Sequence, residues 1–143
     1  MIRMVLVVGA LALGVTSVVA EGNVIEQRQS LMKDLSAKAR PVSGVLRGQS
    51  PFNLEQVQTA LRTYSEHAKV LPTLFPESSK SGKSDALPAV WEHKADFEAR
   101  FAKLATDAQT ALAGVKDEAS FKTEFPKVMQ NCGGCHEKFR KPS

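Results

Sequence analysis

Residues 121–139 read FKTEFPKVMQNCGGCHEKF. Phe121, Phe125, Val128, Cys132, Cys135 and Phe139 recur at intervals of three and four, the spacing that lines side chains along one face of an α-helix. The two-residue alternation of β-branched residues that marks a half-buried strand is missing here and in the rest of the chain. A helix with one apolar stripe must bury it against others, so the remaining sequence has to supply partner helices.

It supplies three. Ile25, Arg28, Met32, Leu35, Ala39, Val42 and Leu46 follow the same spacing, as do Val57, Leu61, Tyr64, Ala68 and Leu71. The third run is Val90, Lys94, Phe97, Phe101, Leu104, Ala108, Ala111 and Val115. Gly48-Gln49-Ser50-Pro51 ends the first helix, and Asn53 with Gln56 three residues on predicts a capping box for the second. Leu71-Pro72 closes that helix, 72–87 is a Ser-, Pro- and Gly-rich loop, Pro88 suits a first helical turn, and Gly114 with Asp117 marks the last turnover. Pro41 and Pro126 fall inside helical patterns, where each should bend or interrupt the helix. The fold expected is all-α, an antiparallel up-down-up-down four-helix bundle.

The N-terminus precedes this pattern. Arg3, the apolar run Val5–Val15 and the small residues Thr16–Ala20 have the three-part layout of a secretory signal. The run is short for a membrane span, which needs roughly 20 apolar residues. We expect residues 1–20 to be a cleaved signal peptide and 21–143 to form one domain, with no stable membrane insertion afterwards; an uncleaved anchor is the alternative. The formal charge of +4 falls by one when Arg3 leaves. Lys and Arg are scattered among Asp and Glu, so nothing points to nucleic acid.

Both cysteines lie within four residues near the C-terminus, where they cannot close long loops. Cys132-Gly133-Gly134-Cys135-His136 has the Cys-x-x-Cys-His form of a c-type haem attachment site. On a helix the two thiols and the imidazole project to one side. That geometry suits two thioethers to the porphyrin edge and His136 as proximal iron ligand. Gly133 and Gly134 would leave room for the macrocycle. Three alternatives remain: a CxxC redox pair, which is expected near a βαβ pattern that this chain lacks; a zinc site, which needs four ligands when only His67 and His93 remain as nitrogen donors; and a local disulfide, which leaves His136 unexplained.

Opposite the imidazole, Met32 is the sensible candidate for the sixth iron ligand. Up-down topology puts it about 14 Å from the start of the first helix, and His136 about 11 Å from the same end of the bundle, at 1.5 Å per residue. Core packing is the plainer role for a seam methionine. Met129 shares the helix of His136 and should touch only a haem edge. Arg28, one turn before Met32, either meets a haem propionate or reaches water at a frayed helix start. Arg140 lies near the proximal side or on the surface. Phe125, Phe139, Leu35 and Trp91 are core candidates that could also wall the haem, and His67 and His93 are expected to be exposed.

Read together, these segments resemble the cytochrome c' family, the class II c-type cytochromes. The matching residues are Arg28-Gln29-Ser30-Leu31-Met32, Gly48-Gln49-Ser50-Pro51-Phe52, Leu71-Pro72 through Phe75-Pro76, Pro88-Ala89-Val90-Trp91 and Cys132 through Arg140. The resemblance implies a periplasmic bacterial protein with one covalent haem c on Cys132 and Cys135, and His136 on the iron. High-spin members leave the sixth position open and bind nitric oxide or carbon monoxide. Low-spin members use a methionine from the first helix and carry electrons. Met32 stands at that position, and Leu71-Pro72-Thr73-Leu74-Phe75-Pro76 resembles the low-spin branch. The expected function is one-electron transfer with periplasmic or membrane-bound redox proteins, as monomer or homodimer, and not enzymatic catalysis. Gas binding at an open iron is the alternative.

Overall fold

The computed structural model describes residues 15–142, with side chains from residue 22 onward. Residues 1–14, most of the expected signal segment, lie outside the described residues. The backbone of 15–20 continues into the first helix. Five helices follow in order: α1 Val15–Leu46, α2 Leu54–Val70, α3 Ala89–Glu92, α4 Lys94–Gly114 and α5 Glu118–Phe139. The long ones, α1, α2, α4 and α5, are the four expected helices and form the antiparallel bundle. Among the described residues there is no β-strand, only an isolated bridge between Ala86 and Arg140.

Three of the helix ends are closed by local hydrogen bonds. Gly48 adopts φ 68°, a left-handed conformation cheap only for glycine. From there Gly48 N–H donates to Val45 O at 3.0 Å and Gln49 N–H to Gly44 O at 2.8 Å, satisfying two carbonyls at the end of α1. The Asn53 side chain accepts from Gln56 N at 2.9 Å and caps α2. Asp117 and Ser120 form a reciprocal capping box at the start of α5.

One expectation is narrowed and another corrected. Neither Pro41 nor Pro126 interrupts its helix. Each frees the carbonyl four residues earlier, on Ala37 and Lys122; both residues are exposed, so water can take the orphaned acceptor. The buried seams on either side hold the helices together. The third expected helix is broken instead, at His93, whose φ −121° and ψ 45° separate α3 from α4.

The core runs along the α2–α4 side, where Val57, Leu61, Ala108 and Ala111 are fully or almost fully buried. Fully burying a side chain the size of Leu or Phe contributes about 1.5–3 kcal/mol. The 71–88 loop folds back over α1 as a strap of two short 3-10 turns, 71–74 and 77–79. Gly82 packs so tightly on Ile25 that a Cβ there would overlap its side chain. Leu87 N–H donates to Phe139 O and Lys141 N–H to Asp85 O, tying the strap to the end of α5.

Candidate functional site

Burial along α1 and α5 is interrupted at matching heights. On α1, Ile25 and Arg28 are buried, Met32, Leu35 and Ala39 are only half-buried, and Val42 and Val45 are buried again. On α5, Val128 is buried, Cys132, Cys135 and His136 are half-buried, and Phe139 is buried again. The helices α1 and α5 scarcely touch, whereas α2 packs on α4, α4 on α5 and α1 on α2. A slot therefore opens between the two intervals. One cavity of about 150 Å³ is walled by Met32, Leu35, Tyr64, Phe101, Leu104 and the Cys132–His136 segment. A second, of about 410 Å³, shares Met32, Cys135 and His136 and adds Arg28, Phe139 and Arg140.

The structure thus brings Met32, Cys132, Cys135 and His136 around one space, from opposite ends of the sequence. The two cysteines form no disulfide. Burial pushes both thiols up, and the nearby Arg100 charge partly offsets this at Cys135. Burial, and then the Arg140 charge, hold the His136 imidazole below its ordinary value, favouring the neutral ring that can donate to a metal. Met129 also lines the first cavity.

Arg28 is only 2% exposed, so the reading that its head reaches water is wrong. Its guanidinium donates to Leu74 O at 3.0 Å, Ser79 Oγ at 2.8 Å and Ser84 Oγ at 3.1 Å, and lies 4.4 Å from the Phe75 ring centroid. It therefore anchors the strap to α1 while still lining the second cavity. Leu35 and Phe139 wall the cavities, but Phe125 packs in the core against Phe121 and Tyr64. Trp91 lines neither cavity; its indole N–H donates to the carbonyls of Phe75 and Pro76. His67 is not a free surface histidine, since its Nε2 lies 2.9 Å from Asp34 Oδ2 across α1 and α2. His93 is exposed at the α3–α4 break. Gly133 borders open space, and a Cβ on Gly134 would make only ordinary contact with Arg100 at 3.6 Å. Neither glycine is required by the packing of this chain alone.

Two site residues carried no signal of this role in the sequence. Arg100 on α4 donates from Nη1 to Gly134 O at 2.8 Å, gripping a carbonyl inside the cysteine motif. Its Nε bonds Asp96, which also receives Lys138 Nζ at 2.8 Å, and these two cations hold the Asp96 carboxyl low, Lys138 first. Tyr64 on α2 is 4% exposed and its hydroxyl has no partner. A buried hydroxyl left unsatisfied costs about 1–3 kcal/mol. Burial first, then the Cys132 sulfur, push the phenol far above its usual range. The one hint in the sequence was a lone tyrosine on an apolar seam, since buried tyrosine oxygens normally find a partner.

A haem fits this donor set. The walls of the slot are mostly apolar, two thiols share a face with an imidazole, a thioether stands across from it, and a polar hydroxyl waits without an acceptor. A tetrahedral zinc site needs four ligands, and among the described residues no group of three or more His, Cys, Asp or Glu is placed to hold one ion.

Comparison with known proteins agrees with this geometry. A family profile described as Cytochrome C' matches residues 23–140. A cytochrome c' of Rhodopseudomonas palustris is 39% identical over 140 residues, covering 97% of this chain and 96% of the relative. A cytochrome c-556 of the same organism is 33% identical over 145 residues, covering 98% and 97%. The solved structure of cytochrome c' from Rhodopseudomonas palustris superposes with a TM-score of 0.82 at 40% identity, over 84% of this chain and 97% of that one. Bundle, motif and slot together thus place the chain in the cytochrome c' family, haem proteins that carry one covalent haem c.

Proposed function

We propose that this cytochrome is a one-electron carrier in which His136 and Met32 ligate the haem iron and Cys132 and Cys135 hold the macrocycle by thioethers. The observation that carries the reading is the pair of facing half-buried intervals, Met32–Ala39 on α1 and Cys132–His136 on α5. Haem, when bound, supplies the one-electron couple, and Met/His ligation raises its potential in favour of electron transfer. The apolar walls Leu35, Phe101 and Leu104 exclude water from the site. Arg100 steadies the backbone of the motif from α4. Arg28 fixes the strap that roofs the second cavity, whose cations Arg28, Lys33 and Arg140 suit the haem carboxylates.

As a member of a cytochrome family the chain is not an enzyme. Among the described residues no helix is long and apolar enough to cross a membrane. We place the mature protein, residues 21–143 after signal cleavage, in the periplasm, exchanging electrons with soluble or membrane-bound redox partners as monomer or homodimer.

The 39% identity to a cytochrome c' favours a second reading, a five-coordinate iron that binds nitric oxide or carbon monoxide beside an unligated Met32. Visible spectra of the oxidised and reduced protein, with and without carbon monoxide, separate the two. The carrier gives a low-spin spectrum indifferent to carbon monoxide, and Met32→Ala turns it high-spin. A high-spin wild type that takes carbon monoxide readily would replace the carrier with the gas binder.

A further inference from the structure

We propose that Tyr64 is the hydrogen-bond donor of the haem pocket, its hydroxyl donating to the Met32 sulfur when that sulfur is held on the iron. This rests on the Met32/His136 reading above and extends it to how the potential is set. Tyr64 is the chain's one tyrosine, 4% exposed, and its oxygen is a buried side-chain polar atom with no partner. It lines the same cavity as Met32, and its ring is packed against Phe125 at 6.3 Å between centroids, so the hydroxyl is carried on a fixed arm.

No group around the cavity accepts from this hydroxyl in the structure as it stands. Arg100, its charged neighbour around the cavity, is itself donor-only and already bound to Asp96 and Gly134. Ser36 and Asn131 also line the cavity, and neither accepts from the hydroxyl. An acceptor therefore has to move within its reach when the site is completed. The haem carboxylates are drawn to the other cavity, where Arg28, Lys33 and Arg140 gather. The thioether of Met32 lines the same cavity, a weak acceptor that a buried phenol with no other partner would still engage. Donation to the sulfur draws electron density away from its bond to iron. That disfavours ferric iron more than ferrous, so it raises the reduction potential.

The test compares haem-loaded wild type with Tyr64→Phe, which keeps the ring and its packing. Three readouts are taken: the spin state, the potential, and displacement of the sulfur from ferric iron by added imidazole. The proposal predicts that Tyr64→Phe stays low-spin, that its potential falls, and that imidazole displaces its sulfur less readily. A merely structural role gives the opposite sign on displacement, because a loosened pocket lets imidazole in more easily. An unchanged potential, or easier displacement, in a low-spin protein overturns the role of Tyr64 and leaves the ligand reading intact. A high-spin wild type overturns the ligand reading and the Tyr64 proposal together.

Discussion

The two sides of the bundle are built from similar residues and packed to different ends. On the α2–α4 side, Val57, Leu61 and Ala108 are fully buried, with Ala111 close to that limit. On the α1–α5 side, Met32, Leu35, Cys132 and Cys135 keep the same helical spacing and an equally apolar character, yet remain half-buried because the helices stand apart. The buried polar groups differ in the same way. Arg28 has three hydrogen-bond partners from the strap, whereas Tyr64 has none. Apolar spacing alone therefore identifies a seam without telling whether protein or cofactor fills it. Thiols, an imidazole and an orphaned hydroxyl distinguish the two.

The sharpest way to break this contrast removes the covalent anchor. Cys132→Ser with Cys135→Ser should abolish covalent haem entirely, seen as the loss of one haem from the mass of the denatured protein. Retention of that mass would mean the slot side is not the cofactor side. Next in size is packing. Leu61→Ala should destabilise by about 2–5 kcal/mol in denaturant unfolding while leaving the absorption bands in place. Leu35→Ala should cost under about 2 kcal/mol, since its side chain is only half-buried, but move the bands. Equal stability costs would erase the distinction between the sides.

Arg28→Leu should cost about 2 kcal/mol, because it strips three hydrogen bonds from a buried donor. It should also speed amide exchange across 77–84 with covalent haem retained. The smallest effect concerns the start of α5, which both sides share. Hydrogen bonds from Ser120, backbone first, hold the Asp117 carboxyl below its ordinary value. A carboxylate lowered by folding contributes fully above its unfolded value of about 3.9. The contribution is lost as pH falls through the lower folded value. Asp117→Asn should flatten that acid limb of a stability–pH curve and change little at neutral pH.

Much of this was legible from residue spacing. The four seams, the Asn53 cap, the turn at Gly48 and the convergence of Met32 with His136 all follow from periodicities of three and four and from loop lengths. Local rules failed where tertiary packing outweighed them. Pro41 and Pro126 are tolerated because the freed carbonyls lie on exposed turns where water can donate to them, while the break at His93 lies in Glu92-His93-Lys94, which contains neither glycine nor proline. Contacts made across the fold left no trace in the pattern. Arg28 meets residues 46 to 56 positions away, and Arg100 reaches Gly134 from a neighbouring helix. The pairing of His67 with Asp34 is of the same kind.

The central claim is that the iron stands between residues 32 and 136, and X-ray absorption at the iron edge of the oxidised protein tests it most directly. The account predicts one sulfur and five nitrogens around the iron in the wild type, with the sulfur gone in Met32→Ala. A first shell of nitrogens alone, or a sulfur that survives the substitution, would contradict it.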